Sequence, residues 1–137
     1  MRVQSEISRA GGRGLYMSFS AEEIIEGEYV LLRHEGTLTI EELYDGRNEA
    51  SGLLEKNAWK RLLIDLSRAS IGVRVIELFT FTVSHRTAFP EYLIIAVIGS
   101  QENYQDAAFV EAVALNRGLR MKLFLACDLA RAWLMVS

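Results

Sequence analysis

Short apolar runs alternate with longer amphipathic stretches along this chain. Glu28 to Glu35, EYVLLRHE, predicts a strand that Gly36 ends. Lys60 to Leu66, KRLLIDL, is an apolar run of strand length, as expected of a strand buried on both faces. Leu93 to Ile98, LIIAVI, predicts another such strand ended by Gly99, and Met121 to Ala126, MKLFLA, a last one. Met17 to Glu26 predicts an edge strand paired with Glu28 to Glu35.

Helices fill the spaces between. Thr39-Ile40-Glu41-Glu42 is a capping box opening a helix to about Asn57, which Gly46 and Gly52 weaken. A second helix is expected over residues 71–86, with Pro90 stopping it. A third is expected over 102–117, with Ser100 as its N-cap and Gly118 as its stop. Asp128 caps a short final helix, LARAWLM. The order is β(β)αβαβαβα. It predicts an α/β fold with a mainly parallel four- to five-stranded sheet and helices packed on it. The first two strands should form an antiparallel hairpin at one side.

Two helices carry more apolar surface than one packing face needs. On helix 71–86, Ile71, Val75, Ile76, Leu78, Phe79 and Val83 form one broad face, expected against the sheet. Arg74, Glu77, Thr80, Ser84 and His85 lie opposite, and Phe81 stands among them. An aromatic in that position is expected to meet either a neighbouring helix or an outside partner. On helix 102–117, Tyr104, Ala108, Ala112 and Leu115 form one stripe, and Phe109 and Val113 another. One stripe should cover the sheet. The other is open to helix 71–86, a second subunit or a lipophilic ligand. The stretch Phe81 to Pro90 lies where such a groove would open.

The length of 137 residues suits one domain. Residues 1–16 read either as an upstream extension of a domain that begins at Met17 or as a genuine arm, and residues 17–137 as the domain. The net charge of -3 speaks against a nucleic-acid binder, which needs a basic stripe. No apolar run reaches the ~18 residues of a membrane span. The first residues lack the apolar centre of a secretory signal. Cys127 is the single cysteine, so no intrachain disulfide forms, and a reducing cytoplasm is expected. It is expected to be a small buried residue near a strand end.

Little in the chain carries catalytic chemistry. Gly72 stands alone, so neither a dinucleotide fingerprint nor a P-loop is present. His34 and His85 lie on different elements, and no zinc ligand set accompanies them. His34 is expected to face outward on its strand, and His85 to sit in the last turn of its helix. Ser100, His85 and Asp65 can be written as a triad, but their spacing does not demand one. No cofactor is expected.

Several phrases carry a resemblance: HEGTLTIEEL (34–43), RLLIDLS (61–67), LIIAVIGSQ (93–101) and MKLFLACDLARAWL (121–134). Together with the element order, they resemble the STAS domain of anti-sigma-factor antagonists, and its SpoIIAA-like branch most. That branch shares its fold with lipid-binding CRAL-TRIO domains. The resemblance covers about Phe19 to Leu134. In the sporulation-type proteins, a strand ending Asp-Leu-Ser is followed by Asp-Ser-Ser-Gly, one serine of which is phosphorylated. This chain keeps Asp65-Leu66-Ser67 but continues Arg68-Ala69-Ser70-Ile71-Gly72. Ser70 is then the candidate phosphoacceptor, expected as a helix N-cap with Arg68 beside it.

The resemblance implies a non-enzymatic regulatory module that docks a protein partner or a second copy of itself. Arg68, Ser70, Arg74, Phe81, His85 and Tyr104 are the candidate contact residues. The alternative is a binder of a small lipophilic ligand in a groove between helices 71–86 and 102–117. An unrecognised hydrolase is the remaining reading.

Overall fold

The computed structural model describes residues 2–5, as a backbone strand, and residues 19–137. Among them, six strands form one sheet in the order of the chain. The strands are β1 (Arg2–Ser5), β2 (Phe19–Ile24), β3 (Tyr29–Leu38), β4 (Arg61–Ile71), β5 (Ile94–Ile98) and β6 (Arg120–Phe124). The helices are α1 (Ile40–Asn57), α2 (Val75–Val83), α3 (His85–Ala88), α4 (Tyr104–Asn116) and α5 (Cys127–Val136). β1, β2 and β3 pair antiparallel, and β3 to β6 pair parallel. The expected hairpin and parallel run are both present. The sheet is one strand wider than expected because Arg2–Ser5 lies along β2. The other residues of the expected arm, 1 and 6–16, and the first two of the expected edge strand, Met17 and Ser18, lie outside the described residues.

Each parallel connection carries a helix, and the next strand always adds on the same side. With right-handed crossovers, this puts α1, α2 and α4 on one face. Their core includes Leu62, Leu66, Ile95 and Val97 of the strands with Leu54 and Leu78 of the helices. The chain then turns after β6, and α5 covers the other face through Ala130 and Leu134. Against them pack Leu31, Leu63, Ile94 and Ala96, the alternate residues of the same strands. Both faces are therefore covered, which is why these strands read as unbroken apolar runs.

Thr39 caps α1 as expected. Its hydroxyl accepts from Glu42 N at 3.2 Å, and Glu42 accepts from Thr39 N at 3.0 Å. At the head of α4, Asn103 N–H donates to Ser100 Oγ, and Asn103 Oδ1 accepts from Ser100 N. This reciprocal pair closes the turn before the helix, which begins at Tyr104. α5 begins at Cys127, so Asp128 lies within its first turn instead of capping it. Cys127 is exposed, not buried, because the chain leaves β6 before reaching it.

The larger correction concerns the polar stretch after Asp65. It is not a loop. β3 continues past Gly36 to Leu38, and after a register shift between Arg33 and Glu35 its end pairs with Arg68–Ile71. β4 is drawn on to Ile71 by that partner. Ser70 therefore sits opposite Thr37 in a strand and caps no helix. Helix 71–86 is also shorter and broken. It starts at Val75, ends at Val83, and resumes for one turn at His85.

Its orientation differs from the expected one, although Leu78 faces the core as expected. Val75 and Ile76 are 61% and 63% exposed, while Leu78, Phe81, Thr82 and His85 are buried. The buried set is spaced i, i+3, i+4, i+7, as one helical face should be. Phe81 belongs to the core, with its ring edge-on to Tyr44 at 5.0 Å between centroids.

Candidate functional site

Between the sheet and helices α1, α2 and α4 lies a cavity of about 60 Å³. Leu32, Leu66, Leu78, Val97, Val110 and Met121 supply apolar walls. Three polar side chains line it as well: His34 from β3, Arg47 from α1 and His85 from α3.

His34 points inward because it shares strand parity with Val30 and Leu32, which face the α1 side of the sheet. The expectation of an outward histidine fails because its parity turns it to the face that α1 covers, while Arg33 takes the opposite, partly exposed side. His34 is 2% exposed. Its ring lies against the α1 backbone, where a Cβ on Gly46 would stand 2.8 Å from Cε1. Gly46 is thus the residue that lets the ring approach the helix. Burial lowers the His34 pKa to about 4, with the Glu42 charge working against the shift. Among the described residues, its Nδ1 has no hydrogen-bond partner.

Arg47 lies four residues after Leu43 and seven before Leu54, on the buried stripe of α1. Its Nη1 donates to Phe81 O at 3.0 Å and to Ser84 Oγ at 2.7 Å, and it meets His85 Nδ1 at 3.2 Å. Arginine only donates, so His85 Nδ1 accepts and the ring proton sits on Nε2. The guanidinium carbon lies 4.8 Å from both the Tyr44 and Phe81 ring centroids. Ser51 adds a hydrogen bond to Ala88 O at 2.7 Å. Arg47 and Ser51 together tie α1 to the broken helix α2–α3. Arg47 Nε, however, has no hydrogen-bond partner among the described residues.

His85 is buried, so it is not a solvated residue of a helix end. Burial, and then the Arg47 charge, lower its pKa to about 3. It stacks edge-on between Phe81 and Phe89, at 4.8 and 5.2 Å. On its other side it lines a surface cleft of about 390 Å³ with Arg86, Pro90, Tyr92, Leu93, Gly118 and Arg120. His85 therefore stands between the inner cavity and the cleft.

Of the residues singled out from the sequence, the cavity brings together Phe81 and His85. Arg68, Ser70, Arg74 and Tyr104 lie on the surface. Arg74 precedes α2 and bonds Glu77 at 3.4 Å. Ser70 lies in a strand, so a phosphate there would meet no helix terminus. The triad is not assembled. Asp65 accepts from Ser67 and Arg33, and Ser100 Oγ accepts from Asn103 N–H. Both lie at the C-terminal end of the parallel strands. His85 lies at the other end, near Leu93 and Arg120. The two histidines share the cavity, yet among the described residues no three metal-ligating side chains cluster.

Sequence reasoning missed Arg47. Its spacing to Leu43 and Leu54 was the available signal, but a charge on a core stripe ordinarily marks the edge of that stripe. His34 carried the same kind of signal in its parity with Val30 and Leu32.

The arrangement is that of an α/β protein with an internal cavity beneath a singly wound sheet, and its fold is SpoIIAA-like. Among solved structures, the chain is similar to the crystal structure of an uncharacterized protein from the DUF3478 family with a SpoIIAA-like fold, from Shewanella loihica PV-4. The two are 18% identical, with a TM-score of 0.52 over 85% of this chain and 92% of that one. No family model matches the chain, and no curated protein matches it. Among the described residues, no helix is long and apolar enough to cross a membrane.

Proposed function

We propose that the protein is a binding domain without catalytic activity, and that it takes a small lipophilic ligand in the cavity beneath α1, α2 and α4. One observation carries this reading. The cavity has apolar walls, yet two buried polar atoms of its lining side chains, His34 Nδ1 and Arg47 Nε, have no partner. Interiors normally pack without such voids, and buried polar groups are normally hydrogen-bonded. A ligand that fills the void and meets those atoms removes both deficits. The void of about 60 Å³ is several times what one water needs, ~10–15 Å³, and far below a drug-sized pocket of ~300 Å³. The resting cavity therefore suits a ligand of a few non-hydrogen atoms. Xenon and benzene are suitable neutral probes. The expected result is a saturable shift of the Leu78, Val97 and Met121 methyl NMR signals. Methyls that do not respond at saturating xenon sink the reading.

A second reading draws on the outer face of α2. Val75 and Ile76 are exposed, with Phe79 beside them. This patch suits the regulatory module that docks a second copy or another protein. Sedimentation velocity on the full chain and on a Val75→Ser/Ile76→Ser variant tests the self-association form. A dimer that the variant abolishes supports it, and a monomeric parent at tens of micromolar rejects it. The single cysteine fits a cytosolic setting for either reading.

A further inference from the structure

We infer that the ligand of this cavity carries a carboxylate and that Arg47 receives it, an inference that rests on the cavity being the ligand site. Arg47 is 6% exposed, and the partners of its Nη1 are all neutral: a carbonyl, a hydroxyl and an imidazole nitrogen. Two aromatic faces flank the guanidinium. Among the described residues, no carboxylate forms an ion pair with it. Elsewhere, carboxylates within the fold have cations: buried Glu23 has Lys56, and partly buried Asp65 has Arg33. A guanidinium stays charged at any ordinary pH, and a buried charge normally has a counter-charge. Here the counter-charge is missing beside an unfilled void.

The donor inventory points the same way. Nη1 is committed to the α2–α3 junction, whereas Nε is free. A carboxylate accepts strongly from such an N–H. His34 Nδ1 is a second unpartnered atom on the same lining. The remaining walls offer only apolar surface, which suits an alkyl chain. The void has room for about four to six non-hydrogen atoms, a few waters' worth. The ligand class is thus a short-chain alkyl carboxylate. The surface cleft behind His85 is suited to admit it, since Arg86 and Arg120 outnumber Glu91 there and would draw an anion.

Butyrate and its neutral isostere butyramide test this on the unaltered full chain. Calorimetry should show butyrate binding at least about tenfold more tightly, as expected for a charge-assisted hydrogen bond in a dry site. The Arg47 Nε–H signal should move downfield, together with the Leu78, Val97 and Met121 methyls. Equal affinities overturn the carboxylate and leave the ligand reading standing. So does a chain that ignores both compounds but responds to xenon at the same methyls, since water then serves the two polar atoms. Silence to xenon as well removes both. Because Arg47 also ties α1 to α2 and α3, its replacement can unfold the protein. The ligand pair needs no replacement.

Discussion

Lowering the pH from 7 to 5 places protons on two histidines that the fold holds neutral. In the unfolded chain each titrates near its ordinary value of about 6.5. In the fold, burial takes His34 to about 4 and His85 to about 3. Glu42 opposes the first shift, and Arg47 reinforces the second. Phe19 flanks His34, and Phe81 and Phe89 flank His85, without charge. Each folded pKa lies below its unfolded value, so the unfolded state takes up the proton first. The stability held by neutral histidine is full above about pH 6.5 and drains as the pH falls toward the folded values. Between pH 7 and pH 5 each site loses about 2 kcal/mol, about 4 kcal/mol together. That is a large part of the ~5–15 kcal/mol typical of a domain. Asp65, whose hydrogen bonds from Ser67 and Arg33 lower its pKa against the burial that raises it, loses its contribution only below about pH 4. Urea denaturation at pH 7, 6 and 5 should show the midpoint falling steadily. His34→Leu, which leaves an apolar side chain in an apolar cavity, should lose about half as much over the same range. A midpoint that holds from pH 7 to 5, or an equal loss in the variant, refutes the reasoning.

Three further outcomes follow from packing and caps. Gly46→Ala gains about 1 kcal/mol of helix propensity, yet places a Cβ 2.8 Å from the His34 ring; the net result should be a loss of about 1–3 kcal/mol by chemical denaturation. Combining it with His34→Ala should relieve the clash, so the two costs should fail to add. Thr39→Ala removes the capping box and should cost about 1 kcal/mol in the same assay. Leu134→Ala should cost about 2–5 kcal/mol, since that fully buried side chain docks α5 on the sheet, and near-neutral behaviour would contradict the packing of that face.

Much of the frame was legible in advance. The apolar runs at Leu62–Ile64 and Ile94–Ile98 declared strands covered on both faces, and the structure covers them with α1, α2 and α4 on one side and α5 on the other. The capping box at Thr39 placed the start of α1 correctly because a cap is a contact between near neighbours. The candidate site was less legible. Phe81 drew notice, and of its two expected neighbours the helix is the one it meets, through Tyr44 of α1; His85 drew notice as a helix-end residue but is buried, and Arg47 drew none.

The sequence by itself determined which segments become strands and helices, their order, and hence the parallel sheet. These depend on period, caps and breakers that act over a few residues. Three matters were decided by tertiary structure. β4 runs on through Ser67 to Ser70 because the end of β3 offers it a ladder after the register shift. α2 turns Leu78 and Phe81 inward and leaves Val75 and Ile76 outside because VIELFTFTV carries apolar residues on more than one side. With no strong local preference, the face that met Arg47, Tyr44 and the sheet prevailed. The cavity brings His34, Arg47 and His85 together from β3, α1 and α3, elements far apart in the chain. No local period encodes such a meeting, since it exists only once α1, α2 and α4 have closed over the sheet.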